Sequence, residues 1–377
     1  MEYRFDQIAY NSTEKKQPED SDRAHYIGLE HLDSGCFGIT RWGSDVTPTG
    51  EKLVMHKGDI LFGKRRAYQR KVGIAPFDGI FSAHGMVLRP KENIIDKDYF
   101  PFFIASDQFM ERAVRISVGG LSPTINWKDL KEQVFDIPTI DEQRKLAAKL
   151  WAAYRLKESY KKLLAATDEM VKSRFIEMFG QVGDTQRRYP VKQMEECCSF
   201  ISDGSHYSPT EDSQGAYPML SVKDMTNNGF SYSDCKYIGS IDYEKLVANG
   251  CKPQKNDVLV AKDGSYFKYA FVVDEDKEQA ILSSIAILRP DSEMVRPRYL
   301  AYYMLTDAVV KLVEKNYLTG TAIRRVILKG FKVLPVIVPD LETQDEFIHI
   351  LEQADKSKFE LKQAIEKIDK VMRALMQ

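Results

Sequence analysis

The sequence lacks the residues on which several classes of protein depend. Its five cysteines include no Cys-x-x-Cys pair, which favours reduced structural thiols over a zinc site or a disulfide framework. No apolar run approaches the roughly 20 residues that span a bilayer. The first residues, Met-Glu-Tyr-Arg-Phe-Asp, contain no apolar secretion segment. We therefore expect no membrane partner and a location in the cytoplasm.

Sequence patterns of nucleotide-binding and methyl-transfer enzymes are missing as well. There is no Gly-x-Gly loop and no Asn-Pro-Pro-Tyr or Asp-Pro-Pro-Phe segment. Residues 58–65 fit seven positions of a phosphate-binding P-loop, but Arg65 stands where magnesium needs Ser or Thr. Ser205 and His206 are neighbours in sequence, whereas the members of a catalytic triad come from distant positions. The sequence predicts no catalytic residues, no metal site and no cofactor of its own.

What the sequence does contain is a long internal repeat. The matching segments are Lys57-Gly-Asp-Ile-Leu61 with Lys255-Asn-Asp-Val-Leu259, Leu88-Arg-Pro90 with Leu288-Arg-Pro290, and Pro138 plus Gln143 with Pro339 plus Gln344. The spacing between matches drifts slowly along the chain, as small insertions in a duplicated ancestor would produce. Such a repeat fixes the architecture before any chemistry is considered.

Each half of the repeat begins with strands and ends with one long helix. Short apolar runs separated by Gly, Pro or Asp predict a β-rich domain over 1–138 and a second over 188–338. Helices are predicted within them at residues 98–115 and 298–315. Uninterrupted helical spacing then predicts long helices over 139–180 and 339–377. The fold class is therefore α+β, with two repeated domains.

The apolar stripes of the long helices predict how the helices are covered. The first stripe comprises Leu146, Leu150, Tyr154, Tyr160, Leu164, Thr167, Val171, Arg174 and Met178. The second is a heptad seam with one polar break, comprising Phe347, Leu351, Ala354, Lys358, Leu361, Ile365, Ile368, Met372 and Leu375. We expect the helices to pack as an antiparallel coiled coil with pseudo-two-fold symmetry. The alternative is that each helix lies on its own β-rich domain.

Charge is nearly balanced overall but unevenly distributed. The formal net charge is −1, whereas residues 57–71 carry six basic residues against Asp59, a local net of +5. The matching stretch 252–268 carries four basic residues against two aspartates, a net of +2. Nucleic-acid binding needs a local basic face rather than a basic whole. Two related domains at a fixed separation could read two half-sites of duplex DNA.

The loops after the repeated Lys-x-Asp strand are the candidate readers of DNA. They interleave basic residues with Tyr, Gln and Ser, which can contact bases, sugars or phosphates. The candidate contact residues are Lys64, Arg65, Arg66, Tyr68, Gln69, Arg70, Lys71 and His84 in the first half and Ser205, His206, Tyr207, Lys262, Ser265, Tyr266, Lys268, Arg324 and Arg325 in the second. Plain surface loops are the alternative. The Gly-rich loops at 117–124 and 318–321 are either phosphate-binding turns or simple turns.

This arrangement resembles the specificity subunit of type I restriction-modification systems. The residues that carry the resemblance are Tyr189-Pro-Val-Lys192, Lys57-Gly-Asp-Ile-Leu-Phe62, Gly119-Gly-Leu-Ser-Pro-Thr-Ile125, Ile137-Pro-Thr-Ile-Asp-Glu-Gln-Arg144 and Arg174-Phe-Ile-Glu-Met-Phe-Gly180. The second copy departs at Glu342-Thr-Gln344 and at Leu318-Thr-Gly-Thr321. The resemblance covers nearly the whole chain.

The resemblance implies a non-catalytic subunit whose β-rich domains are target-recognition domains for a bipartite, asymmetric DNA site. It implies two modification (methyltransferase) subunits and restriction (translocase/endonuclease) subunits as partners. S-adenosylmethionine, ATP and magnesium are expected on those partners. An assembly scaffold that does not read bases and an unrecognised DNA-modifying enzyme remain as alternatives.

Overall fold

The computed structural model describes residues 1–184, 186, 188–320 and 324–376. Thr321, in the second Gly-rich loop, and Gln377, the predicted end of the second long helix, lie outside these residues. The chain divides into two compact units, Met1–Leu163 with Leu361–Gln377, and Leu164–Glu360. We call these the first and the second unit. Each contains one β-rich domain and a part of both long helices.

The first unit is built around an antiparallel four-stranded sheet in the order Ala9–Ser12, Met86–Pro90, Ile60–Phe62 and Val72–Ile74. A second sheet has the order Lys15–Lys16, Lys52–Met55, Gly79–Phe81 and Tyr26–Ile27. Glu2–Arg4 pairs with Val134–Asp136. The helices are Phe5–Ile8, Phe100–Ala105, Asp107–Arg115 and Trp127–Leu130, with 3-10 turns at Asp20–His25, Leu29–His31 and Ala67–Gln69.

The second unit repeats the four-stranded sheet in the same order, Cys198–Asp203, Ile285–Pro290, Val258–Ala261 and Ala270–Val272. In a further three-stranded sheet, Tyr217–Leu220 lies between Lys236–Ile238 and Ala280–Ile281. The remaining paired strands are Met225–Thr226 with Gly229–Phe230, Leu318–Thr319 with Arg325–Val326, and Val191–Gln193 with Pro335–Ile337. The helices are Met194–Cys197, Ser240–Ala248, Pro297–Met304, Asp307–Asn316 and Leu328–Lys332, with a 3-10 turn at Val222–Asp224.

The predicted single helices at 98–115 and 298–315 are each two helices. Ser106 breaks the first pair, since its Oγ accepts a hydrogen bond from Phe109 N (3.2 Å) and donates one to Phe103 O (2.6 Å). Thr306 precedes the second helix of the other pair and donates to Tyr303 O (2.8 Å). A hydroxyl that bonds the neighbouring backbone ends one helix and begins the next.

Matching Asp–Arg pairs explain two of the repeated sequence segments. Asp59 accepts from Arg89 Nε at 2.6 Å and Nη2 at 2.8 Å, and Asp257 accepts from Arg289 at 2.7 and 2.9 Å. Asp257 also caps its turn by accepting from Gln254 N at 2.7 Å. Lys-x-Asp and Leu-Arg-Pro are therefore joined in each unit by a bidentate ion pair on the central sheet.

The long helices run from Ile140 to Phe179 and from Leu341 to Met376. A buried glutamine joins the start of each to its β-rich domain. Gln143 accepts from Asp96 N (2.7 Å) and donates to the carbonyls of Ile94 and Pro138 (2.9 Å each). Gln344 makes the same three bonds, to Arg296 N, Met294 O and Pro339 O. The split of Glu from Gln in the second copy thus leaves the structural residue in place.

Within each unit, segments of the two long helices contact each other. In the second unit Asp168 pairs with Lys358 at 3.1 Å and Phe175 packs against Phe347, so these segments run antiparallel. In the first unit Lys157 donates to Asp369 at 2.6 Å. Lys358 therefore explains the polar break in the predicted seam. One detail of the predicted stripe was wrong, because Arg174 is exposed and Phe175 is buried instead.

Candidate nucleic-acid interface

The first candidate loop, residues 63–71, leaves the central sheet after strand Ile60–Phe62. Gly63 N donates to Lys71 O at 2.9 Å and closes the loop. Arg66 and Arg70 take left-handed backbone conformations, with φ of 56° and 52°. Such angles are uncommon for residues with a Cβ, and here they bracket the 3-10 turn Ala67–Gln69. The loop is therefore folded back on itself.

Two other segments hold the exposed side of this loop. Arg66 N donates to Pro123 O (2.7 Å), Ile125 N donates to Lys64 O (3.0 Å), and Arg65 N donates to His84 O (3.3 Å). Arg66 Nε also donates to Ser122 Oγ at 3.2 Å. We call residues 64–71, 84 and 117–125 the first loop surface. The Gly-rich loop thus lies directly beside the candidate cations.

The candidate side chains of the first loop surface divide into two groups. Arg65, Arg66, Tyr68 and His84 are exposed, while Lys64, Gln69, Arg70 and Lys71 are half-buried. Arg70 is held by Asp107 (2.5 Å) and Ala105 O (3.1 Å), and Lys71 by Leu29 O (2.6 Å). Arg70 and Lys71 therefore fix the loop. The exposed group is the part that a ligand can reach.

Lys64 is the unusual cation of this surface. Its side chain is half-buried, and it has no ion pair with any residue that the structure describes. Burial, and after it the charge of Lys15, lowers the pKa of Lys64 below its ordinary value of 10.5. A partly desolvated, uncompensated ammonium gains most from an approaching anion such as a phosphate.

The second candidate loop repeats this framework. Ala261 N donates to Tyr269 O (2.9 Å), Gly264 N to Arg324 O (2.9 Å), Val326 N to Lys262 O (3.1 Å) and Asp263 N to Ser284 O (3.4 Å). These bonds correspond one for one to those of the first loop. They relate Lys64 to Lys262, Arg65 to Asp263, and Arg66 to Gly264. We call residues 203–207, 262–269, 284 and 324–326 the second loop surface.

Lys262 is not the exposed cation that the sequence suggested. Its side chain is only 4% exposed and lies between Asp203 Oδ2 (3.3 Å) and Asp263 Oδ1 (3.1 Å). His206 Nε2 also lies 3.2 Å from Asp203. The counterpart of Lys64 is thus buried and compensated by two carboxylates, because a buried ammonium needs partners.

The other candidates of the second loop surface differ in exposure. His206, Tyr207, Lys268, Arg324 and Arg325 are exposed. Ser205 is buried, its Oγ donating to Tyr207 O at 2.6 Å, and Ser265 is half-buried. Tyr266 donates to Glu314 at 3.2 Å, and Lys268 Nζ lies 5.1 Å from the centre of the Tyr269 ring. His206, Tyr207, Lys268 and the two arginines are therefore open to a ligand.

Sequence reasoning missed three residues of these surfaces. Asp203 and Asp263 were not among the candidates, although aligning the two copies sets Asp263 against Arg65. Leu121, which is 97% exposed, comes directly before Ser122 and Pro123, the two residues of the Gly-rich loop that accept hydrogen bonds from Arg66. Aligning the two copies could have found Asp263, because it sets this aspartate against Arg65. No sequence pattern pointed to Asp203 or Leu121.

Among the described residues no group of three or more His, Cys, Asp or Glu side chains could hold a metal ion. Burial raises the pKa of Cys197 to about 11 and that of Cys198 to about 12, so both thiols stay protonated near neutral pH. The helices within the described ranges are all too short or too polar to cross a membrane.

Comparison with known proteins gives one consistent result. Residues 7–166 and 191–370 each match the type I restriction modification DNA specificity domain. The type I restriction enzyme EcoDI specificity subunit of Escherichia coli is 28% identical over 149 residues, which cover 39% of this chain. That alignment spans only 33% of the length of the curated relative.

Solved structures of the same kind share the fold. A chain from a study of complex assembly and conformational transition of the type I R-M system has a TM-score of 0.59 at 16% identity, covering 100% of this chain and 96% of its own. The S subunit from M. genitalium has a TM-score of 0.56 at 13% identity, covering 100% and 94%. With two matched domains over most of its length, this chain belongs to the type I restriction-modification DNA specificity family.

Proposed function

We propose that this chain is the DNA-reading subunit of a type I restriction-modification complex, with one half of a bipartite, asymmetric site read by each unit. One observation carries the proposal. The two loop surfaces share their backbone hydrogen bonds, yet Arg65, Arg66 and His84 correspond to Asp263, Gly264 and Ser284. A common framework with different side chains is what two readers of unlike half-sites require.

In this scheme the long helices form an antiparallel coiled coil that spaces the two readers about a pseudo-two-fold axis. The ion pairs between the helices support it. The repeat relates Lys157 to Lys358 and Asp369 to Asp168, so that Lys157–Asp369 and Lys358–Asp168 are the same interaction, once in each unit. Paired polar residues in an apolar seam fix the register of packed helices.

The chemistry of the complex is assigned to partner subunits. Two modification subunits would bind S-adenosylmethionine and methylate DNA, and restriction subunits would use ATP and magnesium. Outward-facing apolar side chains of the long helices offer docking positions, with Leu156 45%, Met170 47%, Phe359 61% and Val371 54% exposed. Exposed apolar side chains mark a partner contact where they form a contiguous patch, which the docking of a modification subunit on these helices would require. This chain would then act as a non-catalytic scaffold as well as a reader.

The decisive experiment exchanges residues 64–71 for the corresponding loop of another family member and assembles the complex. Mapping methylated sites in genomic DNA should show a changed first half-site and an unchanged second half-site. Exchanging the turn at Asn227 and Asn228, far from both loop surfaces in sequence, is the matched control and should change neither. An unchanged first half-site after the loop exchange would remove the first loop surface from DNA reading.

Two simpler measurements address the alternatives. With a net charge of −1, the isolated chain should bind DNA weakly, because its partners supply much of the phosphate neutralisation. A sequence-specific complex of nanomolar affinity at about 0.15 M salt would contradict this. Incubating the purified chain with DNA and either magnesium or S-adenosylmethionine should give no cleavage and no methylation. Activity of the chain alone would show that it is an enzyme.

A further inference from the structure

We infer that one backbone position, occupied by Arg65 in the first unit and Asp263 in the second, reads a base in each half-site. The first half-site then carries a guanine at this position. The second carries a base whose exocyclic amine donates into the major groove, cytosine N4 or adenine N6. This inference rests on the proposed function and names the residues that make the two half-sites different.

The two residues occupy the same place in the framework. Each donates its backbone N–H to the turn before the neighbouring strand, Arg65 to His84 O at 3.3 Å and Asp263 to Ser284 O at 3.4 Å. Each also forms an antiparallel bridge to the Gly-rich segment, Arg65 to Thr124 and Asp263 to Arg325. The backbone at this position is therefore fixed from both sides, as a base-reading residue requires.

The side chains at this position have opposite hydrogen-bonding capacity. The guanidinium of Arg65 is exposed, only donates, and matches the paired acceptors O6 and N7 of guanine. The carboxylate of Asp263 only accepts and matches a base amine. A carboxylate facing guanine O6 and N7 would meet only acceptors, and an arginine facing an amine would meet a donor. The difference between Arg65 and Asp263 therefore means that the two units accept different bases at this position.

Lys262 offsets the negative charge that would otherwise repel DNA from the second loop surface. Phosphates repel Asp203 and Asp263, yet the ammonium of Lys262 lies 3.3 Å from the first and 3.1 Å from the second. It thereby offsets their charge and restricts the Asp263 side chain. In the first unit Lys64 has no acidic partner within the described ranges, and Arg65 needs none. Lys262 is thus a positioning residue for Asp263.

The test uses the assembled complex with each variant and maps methylated sites across genomic DNA. Arg65→Gln should relax one position of the first half-site, lowering the preference for guanine by roughly 5- to 150-fold, the range for one bidentate base contact. Asp263→Ala should relax one position of the second half-site by a similar factor, because alanine removes the acceptor, whereas asparagine would still pair with adenine N6 and N7. Each variant is the control for the other, because the half-site of the unaltered unit should not change.

Charge-conserving variants separate base reading from phosphate binding and from folding. Arg65→Lys and Asp263→Glu keep the charge of each surface. The first variant loses the planar guanidinium that pairs with two acceptors of guanine, and the second places the carboxylate one methylene further from the backbone. They should relax the same positions while leaving the salt dependence of binding unchanged. Thermal unfolding of Arg65→Gln should match the wild type, because Arg65 is exposed.

The outcomes distinguish this inference from the function it rests on. If exchanging residues 64–71 changes the first half-site but Arg65→Gln and Arg65→Lys do not, the assignment of Arg65 is overturned and the DNA-reading function stands. If both Asp263 variants leave the second half-site intact, the assignment of Asp263 is overturned in the same way. If the loop exchange itself changes nothing, the proposed function fails first.

Discussion

Replacing Gln344 with leucine removes the three hydrogen bonds that join the second long helix to its β-rich domain. The Gln344 side chain is fully buried. Its Oε1 accepts from Arg296 N at 2.8 Å, and its Nε2 donates to Met294 O at 3.0 Å and Pro339 O at 2.9 Å. Leucine has a similar size but can satisfy none of these backbone groups. The expected result is a large loss of stability in the second unit.

The magnitude follows from the groups that lose their partner. A buried donor or acceptor left unpaired costs about 1–3 kcal/mol, so three of them cost about 3–9 kcal/mol. Added apolar burial and small shifts of the backbone offset part of this. We therefore expect the free energy of unfolding of the second unit to fall by about 3–5 kcal/mol, at the lower end of that range. For a unit of this size such a loss lowers Tm by at least about 6 °C.

Urea unfolding followed by amide hydrogen exchange measures this effect. The amide of Arg296, which loses its acceptor, should exchange much faster in Gln344→Leu than in the wild type. Gln143→Leu is the matched variant in the first unit, where Asp96 N is the corresponding amide. Both variants should lose similar amounts of stability. A loss below about 1 kcal/mol in both would refute the reasoning, because it would mean that the backbone groups find other partners at little cost.

Three further predictions follow from the ion pairs and the two lysines. Asp257→Asn should destabilise the second unit by about 3 kcal/mol in urea unfolding, because it leaves Arg289 without its bidentate partner; an unchanged midpoint would contradict this. Lys64→Gln should reduce the slope of log affinity against log salt by about 0.9 in the assembled complex. The pKa of Lys64 is lower in the folded protein than in the unfolded chain, so the unfolded chain binds that proton more tightly. The free energy of unfolding of the wild type should therefore rise as the pH increases towards 10.5. Lys64→Gln should lose the part of this rise that comes from Lys64. Lys262→Met should relax the second half-site in methylation mapping whereas Lys262→Arg should retain it, and equal maps would refute its positioning role.

The helical part of the fold could be predicted from the sequence because helical spacing is a local signal. The long helices begin at Ile140 and Leu341, one and two residues from the predicted starts. What periodicity could not show was the choice between Arg174 and Phe175, which are neighbours on the helix surface. Phe175 is buried because Tyr299, Tyr302 and Phe347 surround it, and those contacts come from distant parts of the chain.

The sequence pattern also could not predict the short breaks between consecutive helices. The aromatic spacing of residues 98–115 is helical on both sides of Ser106, so the pattern predicted one helix. The break depends on the Ser106 hydroxyl bonding the backbone at Phe103 and Phe109 rather than solvent. A serine has this option in any helix, and only the packing around it decides whether the option is used.

The sequence was enough to predict where the candidate loops lie. It was not enough to predict which of their charged side chains are exposed. In the sequence, residues 57–71 carry a local charge of +5 and residues 252–268 a charge of +2. In the structure Arg70 is paired with Asp107, and Lys262 is paired with Asp203 as well as with Asp263. Counting Asp107 and Asp203, which lie outside the two stretches, lowers the local charges to +4 and +1.

The two surfaces therefore differ more in kind than the sequence indicates. On the first, the exposed Arg65 and Arg66 lie beside a Lys64 that has no acidic partner among the described residues, which in the proposed function would combine base recognition with attraction to phosphate. On the second, Lys262 is paired with two carboxylates, so in the same scheme the exposed Lys268, Arg324 and Arg325 would attract phosphate instead. At the equivalent positions 64 and 262, one lysine has no acidic partner among the described residues and the other is a buried counter-ion of two carboxylates. If the proposed reading function holds, we expect each lysine and the residue after it to act together in setting specificity, so that the pair 64–65 and the pair 262–263 are each the unit to exchange.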